Sequence, residues 1–188
     1  MTMLKSIAAL DHSIFYWFYD FSGKSQALDA FIVFCGEYLI YLVVLFVFWH
    51  AYRMWRKGGI KNLLPYAEAA VSVFLARIVV EPAIHLFYGR VRPFIALSLT
   101  HNLIVDTAQS FPSGHTIIMF ALATSIFFYD RKFGWFLYVL GILIGVGRIM
   151  GGVHYPSDVL GGAVLGILVG WLVYLVSKKI LKNHPHLL

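Results

Sequence analysis

The sequence predicts an all-α polytopic membrane protein, a helical bundle of five transmembrane helices preceded by an N-terminal interfacial helix. Three observations carry this. The chain is 60% hydrophobic and only 13% charged, with a mean hydropathy of +0.78, whereas soluble domains run at roughly 45–50% apolar and about 25% charged residues. Five apolar runs of near-spanning length follow one another. Most of the fifteen basic residues stand just beyond the ends of those runs.

The elements follow in order. Leu4, Ile7, Ala8, Ile14, Phe15, Phe18 and Phe21 keep helical spacing, with Tyr16, Trp17 and Tyr19 interleaved; an aromatic segment of this kind lies in the membrane interface. The first span is Ala30 to His50, long enough at about 1.5 Å per residue to cross a core of roughly 30 Å. The second is Leu63 to Tyr88. The third, Ser113 to Tyr129, is short, so its helix is expected to start inside the preceding loop. Gly134 to Met150 and Asp158 to Val176 complete the five. Residues 1–188 form one domain: interfacial segment 1–29, bundle 30–176 and basic tail 177–188. No cleavable signal peptide is read in the first thirty residues, which carry Asp11, Asp20 and Asp29 without a compact apolar core.

Charge gives the orientation. Arg53, Arg56, Lys57 and Lys61 separate spans one and two, Arg131 and Lys132 separate three and four, and Lys178, Lys179 and Lys182 follow five. All fall on one side, the cytoplasmic one by the positive-inside rule. The net charge of +6 therefore reads as topology, with no nucleic-acid partner, and membrane lipids surround the bundle. The loop 89–112 and the stretch "GGVHYPSD", Gly151 to Asp158, lie outside. The lone Cys35 excludes an intramolecular disulfide and a Cys-based zinc site, and no metal site is defensible from His184 and His186. The sequence sets no oligomeric state. Gly162, Gly166 and Gly170 recur every four residues, as do Gly141 and Gly145; small residues at that spacing let helices approach closely, and spans four and five are expected to clasp each other.

Three segments carry polar residues to the outer edge: "YGRVRPF" with Arg90 and Arg92, "SFPSGHT" with Ser113, Gly114 and His115, and Arg148 to Asp158. Arg92 and Arg148 keep their charge at neutral pH, and their planar forks match phosphate oxygens. Ser113 and Gly114 stand where a helix begins, and free N–H groups there favour an anion. Two guanidiniums and a helix N-terminus describe a phosphate pocket. His115 and His154 add groups with an ordinary pKa near 6.5, suited to proton transfer or attack. For His154 to attack phosphorus, one ring nitrogen must be unprotonated; Asp158 is placed to accept a hydrogen bond from the other. His115 can then protonate the leaving oxygen. Pro156 and Ser157 favour a turn, with Ser157 or Asp158 capping span five.

Pro112-Ser113-Gly114-His115, and Arg148 followed by His154 and Asp158, preceded by Arg92-Pro93, resemble the three-part signature of the type 2 phosphatidic acid phosphatase superfamily, over Tyr88 to Asp158. The resemblance implies a helical bundle and hydrolysis without metal or other cofactor, through a phosphohistidine on His154. It makes His115 the general acid and Asp158 the residue orienting His154, with Arg92, Ser113, Gly114 and Arg148 holding phosphate. Two positions depart from the pattern: His85 stands where the superfamily has a lysine, and Gly147 where it has a serine. His85, if protonated, or Arg90 would supply the missing charge. The N-terminal segment, "RVRPF" and "HYPSDVLGG" further resemble bacterial undecaprenyl-diphosphate phosphatases of the bacitracin-resistance type. That implies a lipid diphosphate substrate, cell-wall carrier recycling and a plasma-membrane site facing outward. Phosphatidylglycerophosphate or phosphatidic acid phosphatases are the alternative.

Glu37, Glu68, Arg77 and Glu81 lie within spans, where ionisable groups are costly. Arg77 and Glu81, four apart on one helix, are expected to pair; a proton-coupled transporter is the rival use of such residues. His101 and Asp106 read as residues of a solvated outer loop, with tuning of substrate entry as the alternative.

Overall fold

Gly59 adopts a φ of +73°, a conformation that disfavours a side chain, and there the first long apolar stretch turns back into the second. The computed structural model describes residues 2–100, 102–106 and 109–184. It consists of α1 (Thr2–Tyr19), α2 (Gln26–Gly58), α3 (Ile60–Phe87), a single turn α4 (Pro93–Ala96), α5 (Gly114–Phe127), α6 (Arg131–Met150) and α7 (Pro156–Asn183). Among the described residues there is no strand, only an isolated bridge between Val91 and Gln109. His101, His186 and the last residues of the predicted tail lie outside the described residues.

Local chemistry sets the helix ends. The Ser25 side chain accepts from Leu28 N at 3.3 Å and Asp130 from Phe133 N at 3.0 Å, satisfying N–H groups that the first turn leaves open. The helices outrun the apolar segments: α2 carries Arg53, Arg56 and Lys57, and α7 continues through Lys178, Lys179 and Lys182, so residues 177–183 are helical. The α7 start also differs from expectation. Tyr155 is the N-cap, Pro156 opens the first turn, and Asp158 is the third residue, its carboxylate accepting from Tyr155 N at 2.8 Å. Proline favours this register because its fixed φ suits the first helical position and its missing N–H would be unused there.

Helices α2, α3, α6 and α7 are long and apolar enough to cross a membrane, while α5 has 14 residues. Instead of extending into the preceding loop, α5 starts at Gly114. Its shortness is tolerated because it is the inner helix: Ile117, Met119, Ala121, Ala123 and Ile126 are fully buried, so its ends meet protein before lipid. Met119, Leu122 and Ile126 pack with Val43 and Val47 of α2 and with Leu137 and Ile144 of α6.

The glycine rows explain the arrangement and correct the expected pairing. A Cβ on Gly162 would stand 2.7 Å from Ser113 O, one on Gly166 2.6 Å from Ile117 O, and one on Gly170 2.8 Å from Thr124 Cβ. Gly141 faces Met119 and Phe120. Both rows therefore seat their helices on α5, and only Gly145, against Val159, lies at a contact between spans four and five. Spacing marks a face and leaves its partner open. Because lipid is as apolar as leucine, such backbone approach and interhelical polar contacts hold a bundle together; Ser72 Oγ to Ser125 Oγ at 2.8 Å and Tyr129 Oη donating to Glu68 Oε1 at 2.6 Å are two of the latter.

Two helices contain π turns. At Phe34–Tyr38 the Leu39 N–H reaches Phe34 O, and at Leu75–Val80 the Glu81 N–H reaches Ala76 O. Such widened turns occur at functional sites, and these carry Glu37 and Arg77. Helix α1 docks at the same end of the bundle, where Phe15 packs with Ile149 and Tyr155.

Candidate active site

The close approach of α7 to α5 brings two of the polar segments together, and Ser113 N donates to Asp158 O at 3.1 Å. The third is tied on by the loop after α3: Phe94 N donates to Gly152 O at 3.1 Å, and Arg92 Nη1 to Val153 O at 3.0 Å. Arg92, Ser113, Arg148, His154 and Asp158 are all buried.

His154 is held at both nitrogens. Nδ1 lies 2.9 Å from the Ser110 carbonyl, which can only accept, so Nδ1 carries the proton. Nε2 lies 3.0 Å from Arg92 Nη1, which can only donate, so Nε2 presents its lone pair. Burial pushes the imidazole down to about 4; the Asp158 carboxylate opposes this and the Arg148 and Arg92 guanidiniums reinforce it. The ring is therefore neutral at physiological pH.

Asp158, expected to accept from His154, stands 3.8 Å from Nδ1, beyond hydrogen-bond reach. Its oxygens are taken elsewhere. Oδ2 accepts from Ser110 Oγ at 2.5 Å and Tyr155 N at 2.8 Å, and Oδ1 accepts from Arg90 Nη1 at 2.7 Å. Asp158 thus fixes the Ser110 segment whose carbonyl holds His154. Arg90, expected as a substitute phosphate ligand, is instead committed to this scaffold: Nη2 donates to Asp11 Oδ2 at 2.7 Å, Nη1 also to Ser157 Oγ at 2.6 Å, and the guanidinium lies 3.9 Å from the Tyr155 ring centroid. Burial works against its charge, but Asp158 and Asp11 more than offset that and raise its pKa. Asp11 also accepts from Ser157 N at 2.9 Å, so α1 is stitched to the site.

The two remaining arginines share a carboxylate. Arg92 Nη2 lies 3.2 Å from Asp106 Oδ2, and Arg148 Nη2 donates to the same oxygen. Arg148 Nη1 pairs with Glu37 Oε2 at 2.6 Å, while its buried Nε has no hydrogen-bond partner among the described residues. Asp106, read from sequence as a loop residue, therefore stands between the guanidiniums expected to hold phosphate.

Beside them is a cavity of about 370 Å³ that Arg92, Asp106, Gly114, His115 and His85 line together with Arg77 and Glu81. Among the described residues His115 makes no hydrogen bond, so its ring is available to a group in the cavity. Gly114 faces the Glu81 carboxylate, which is 3.0 Å from where a Cβ would stand. His85 Nε2 is buried without a hydrogen-bond partner among the described residues, and Arg77 pairs with Glu81 at 2.5 Å as expected. The arrangement offers an unprotonated nitrogen nucleophile, a second histidine facing the cavity and fixed cations beside both. Sequence reasoning missed the Ser110 carbonyl and the roles of Asp11, Glu37 and Asp106. Glu37 alone carried a signal, as an acid inside a span.

A family model described as the PAP2 superfamily matches residues 65–182. Over 89% of this chain and 84% of its own, the undecaprenyl-diphosphatase BcrC of Bacillus subtilis is 34% identical. A Bacillus licheniformis protein named bacitracin transport permease protein BcrC is 31% identical over 97% of this chain and 88% of its own. Among solved structures, Aquifex aeolicus LpxE superposes with a TM-score of 0.65 and 26% identity, covering 87% of this chain and 94% of its own.

Proposed function

The chain belongs to the PAP2 superfamily, and from that premise we propose that this multi-pass membrane lipid phosphatase removes the terminal phosphate of undecaprenyl diphosphate at the outer leaflet of the plasma membrane, through a phosphohistidine on His154. The observation that carries the mechanism is the Arg92 guanidinium, in contact with both the lone pair of His154 Nε2 and an anion, the Asp106 carboxylate. A phosphate taking the place of that carboxylate is held by Arg92 and Arg148 next to the nucleophile. Proximity and charge neutralisation of this kind account for most of the catalysis in phosphoryl transfer.

In the first step Arg92 Nη1 passes from Nε2 to the phosphate, and Nε2 of His154, its lone pair freed, bonds to the terminal phosphorus as the bond to the bridging oxygen breaks. His115 protonates that oxygen as undecaprenyl phosphate departs. In the second, His115 takes a proton from water, whose oxygen attacks the phosphohistidine, releasing inorganic phosphate and restoring Nε2. Gly114, at the start of α5, contributes a helix-terminal N–H to the phosphate; the Ser113 N–H is committed to Asp158 O, which leaves Ser113 its hydroxyl for that role. Similarity to the B. subtilis enzyme over most of both chains supports the lipid substrate. The basic clusters at the opposite ends of the helices support the outward orientation.

The test is phosphate release by the purified protein in detergent with EDTA present, comparing undecaprenyl diphosphate with phosphatidylglycerophosphate and phosphatidic acid. Preference for the diphosphate and acid-labile label on wild type, lost in His154→Ala, are the expected results. Full turnover by His154→Ala sinks the mechanism, and preference for a monophosphate lipid sinks the substrate.

A further inference from the structure

One cation in the cavity has no part in the chemistry above. Arg77 sits in the π turn of α3, two helical turns before His85, and its side chain is 48% exposed although its neighbour Glu81 is buried. A pair that served only to neutralise charge inside a span would satisfy both partners, because unsatisfied polar groups are costly away from water. This pair does not. Nη1 of Arg77 donates to Glu81 Oε1, and among the described residues the other guanidinium nitrogens meet no protein acceptor. Glu81 Oε2 and His85 Nε2 are likewise buried without partners. All three residues line the cavity of about 370 Å³ that also holds Arg92, Gly114 and His115. Of these open atoms the guanidinium donors of Arg77, with His85 Nε2 beside them, suit a ligand of negative charge, whereas Glu81 Oε2 is an acceptor and serves to hold Arg77.

We propose that Arg77, fixed by Glu81 and assisted by His85, binds the lipid-proximal phosphate of a diphosphate substrate and so selects diphosphate over monophosphate lipids. This rests on the reading that the terminal phosphate is the one attacked at His154. With Nη1 anchored to Glu81, the opposite edge of the guanidinium can fork onto phosphate oxygens. Its effect grows during the reaction: cleavage of the bridging bond leaves extra negative charge on the departing phosphate, beside a cation already in place. A monophosphate lipid departs as an alcohol and brings no phosphate to Arg77. Arg77 also restores a fixed cation to the cavity in which His85 stands in place of the superfamily lysine.

The test compares farnesyl diphosphate with farnesyl phosphate on wild type, Arg77→Gln and Arg77→Lys in detergent. Losing a charge-assisted hydrogen bond lowers kcat/KM for the diphosphate about 10- to 100-fold in Arg77→Gln, with recovery in Arg77→Lys and the monophosphate rate within about threefold of wild type. Equal losses on both substrates, or no loss on the diphosphate, overturn the proposal. Inorganic pyrophosphate inhibiting the wild-type enzyme no better than inorganic phosphate also overturns it, even if the variants do not fold. A wild type indifferent to diphosphate defeats the undecaprenyl reading by itself, while the ratio between variant and wild type still reports on Arg77.

Discussion

The nearer carboxylate oxygen of Asp158 stands 3.8 Å from Nδ1 of His154, and the proton on that nitrogen goes instead to a backbone carbonyl 2.9 Å away. Asp158 acts through Ser110, whose hydroxyl it accepts and whose carbonyl then holds the ring. When a side-chain carboxylate alone sets the tautomer, its amide variant loses about 10⁴ in rate. Here the carbonyl survives the substitution, so Asp158→Asn is expected to lower kcat by about 10- to 100-fold and to lower Tm, since its NH₂ must face Arg90 or the Ser110 and Tyr155 donors. A loss near 10⁴ with an unchanged Tm would show that Asp158 itself sets the tautomer.

The depressed pKa of His154 fixes a pH window. On the proposed mechanism protonation of Nε2 abolishes the nucleophile, so the acid limb attributable to His154 in kcat/KM should fall near 4 and not near the ordinary 6.5. The stability consequence has a definite sign. Between these values the unfolded chain binds a proton that the folded chain refuses, so stability is lost as pH falls from about 6.5 toward about 4. Thermal unfolding against pH should show a shallower slope in His154→Gln; an unchanged slope would place the titration elsewhere.

Asp106 pairs with both Arg92 and Arg148, and on the proposed mechanism it competes with the substrate phosphate for them. Replacing it by asparagine keeps the shape and removes the rival charge, so inorganic phosphate should inhibit roughly three- to tenfold more strongly, a change of about 1 kcal/mol. Weaker inhibition by phosphate in Asp106→Asn would mean that the carboxylate holds the guanidiniums in place for the substrate.

Gly166 is the tightest seat of α7 on α5, with backbone on two sides of any added Cβ, at 2.6 and 2.8 Å. Gly166→Ala is expected to cost about 1–3 kcal/mol of stability, read as a lower Tm in detergent, and to reduce activity by moving Asp158 relative to Ser113. Gly89→Ala, which meets nothing within 4 Å, is the control and should unfold like wild type.

The parts legible in the sequence were those written in side-chain type and spacing. Apolar runs gave the membrane bundle, basic clusters the common side of three connections, and the order of Arg92, Ser113 to His115 and Arg148 to Asp158 the segments that meet at the candidate site. What was hidden has physical reasons. The Ser110 carbonyl is backbone, and every residue has one. Asp106 is an acid in a polar loop, indistinguishable from a solvated one until the loop folds over the arginines. The glycine rows announced a close approach but not its partner. Arg90, which looked like a spare phosphate ligand, was claimed by Asp11, a residue 79 positions away.

The π turn of α3 carries one further consequence. Its Glu81 N–H reaches five residues back where a regular helix reaches four, so the segment accommodates one extra residue, and that residue sets the angular phase between Arg77 and His85. Deleting one residue from Ile78 to Val80 would let the helix close regularly and swing the two side chains about 100° apart, emptying the Arg77 side of the cavity while leaving composition and hydropathy almost untouched. A homologue with an unbroken helix here would align with a one-residue gap, and that gap would mark a changed cavity even where Arg77 and His85 are both retained.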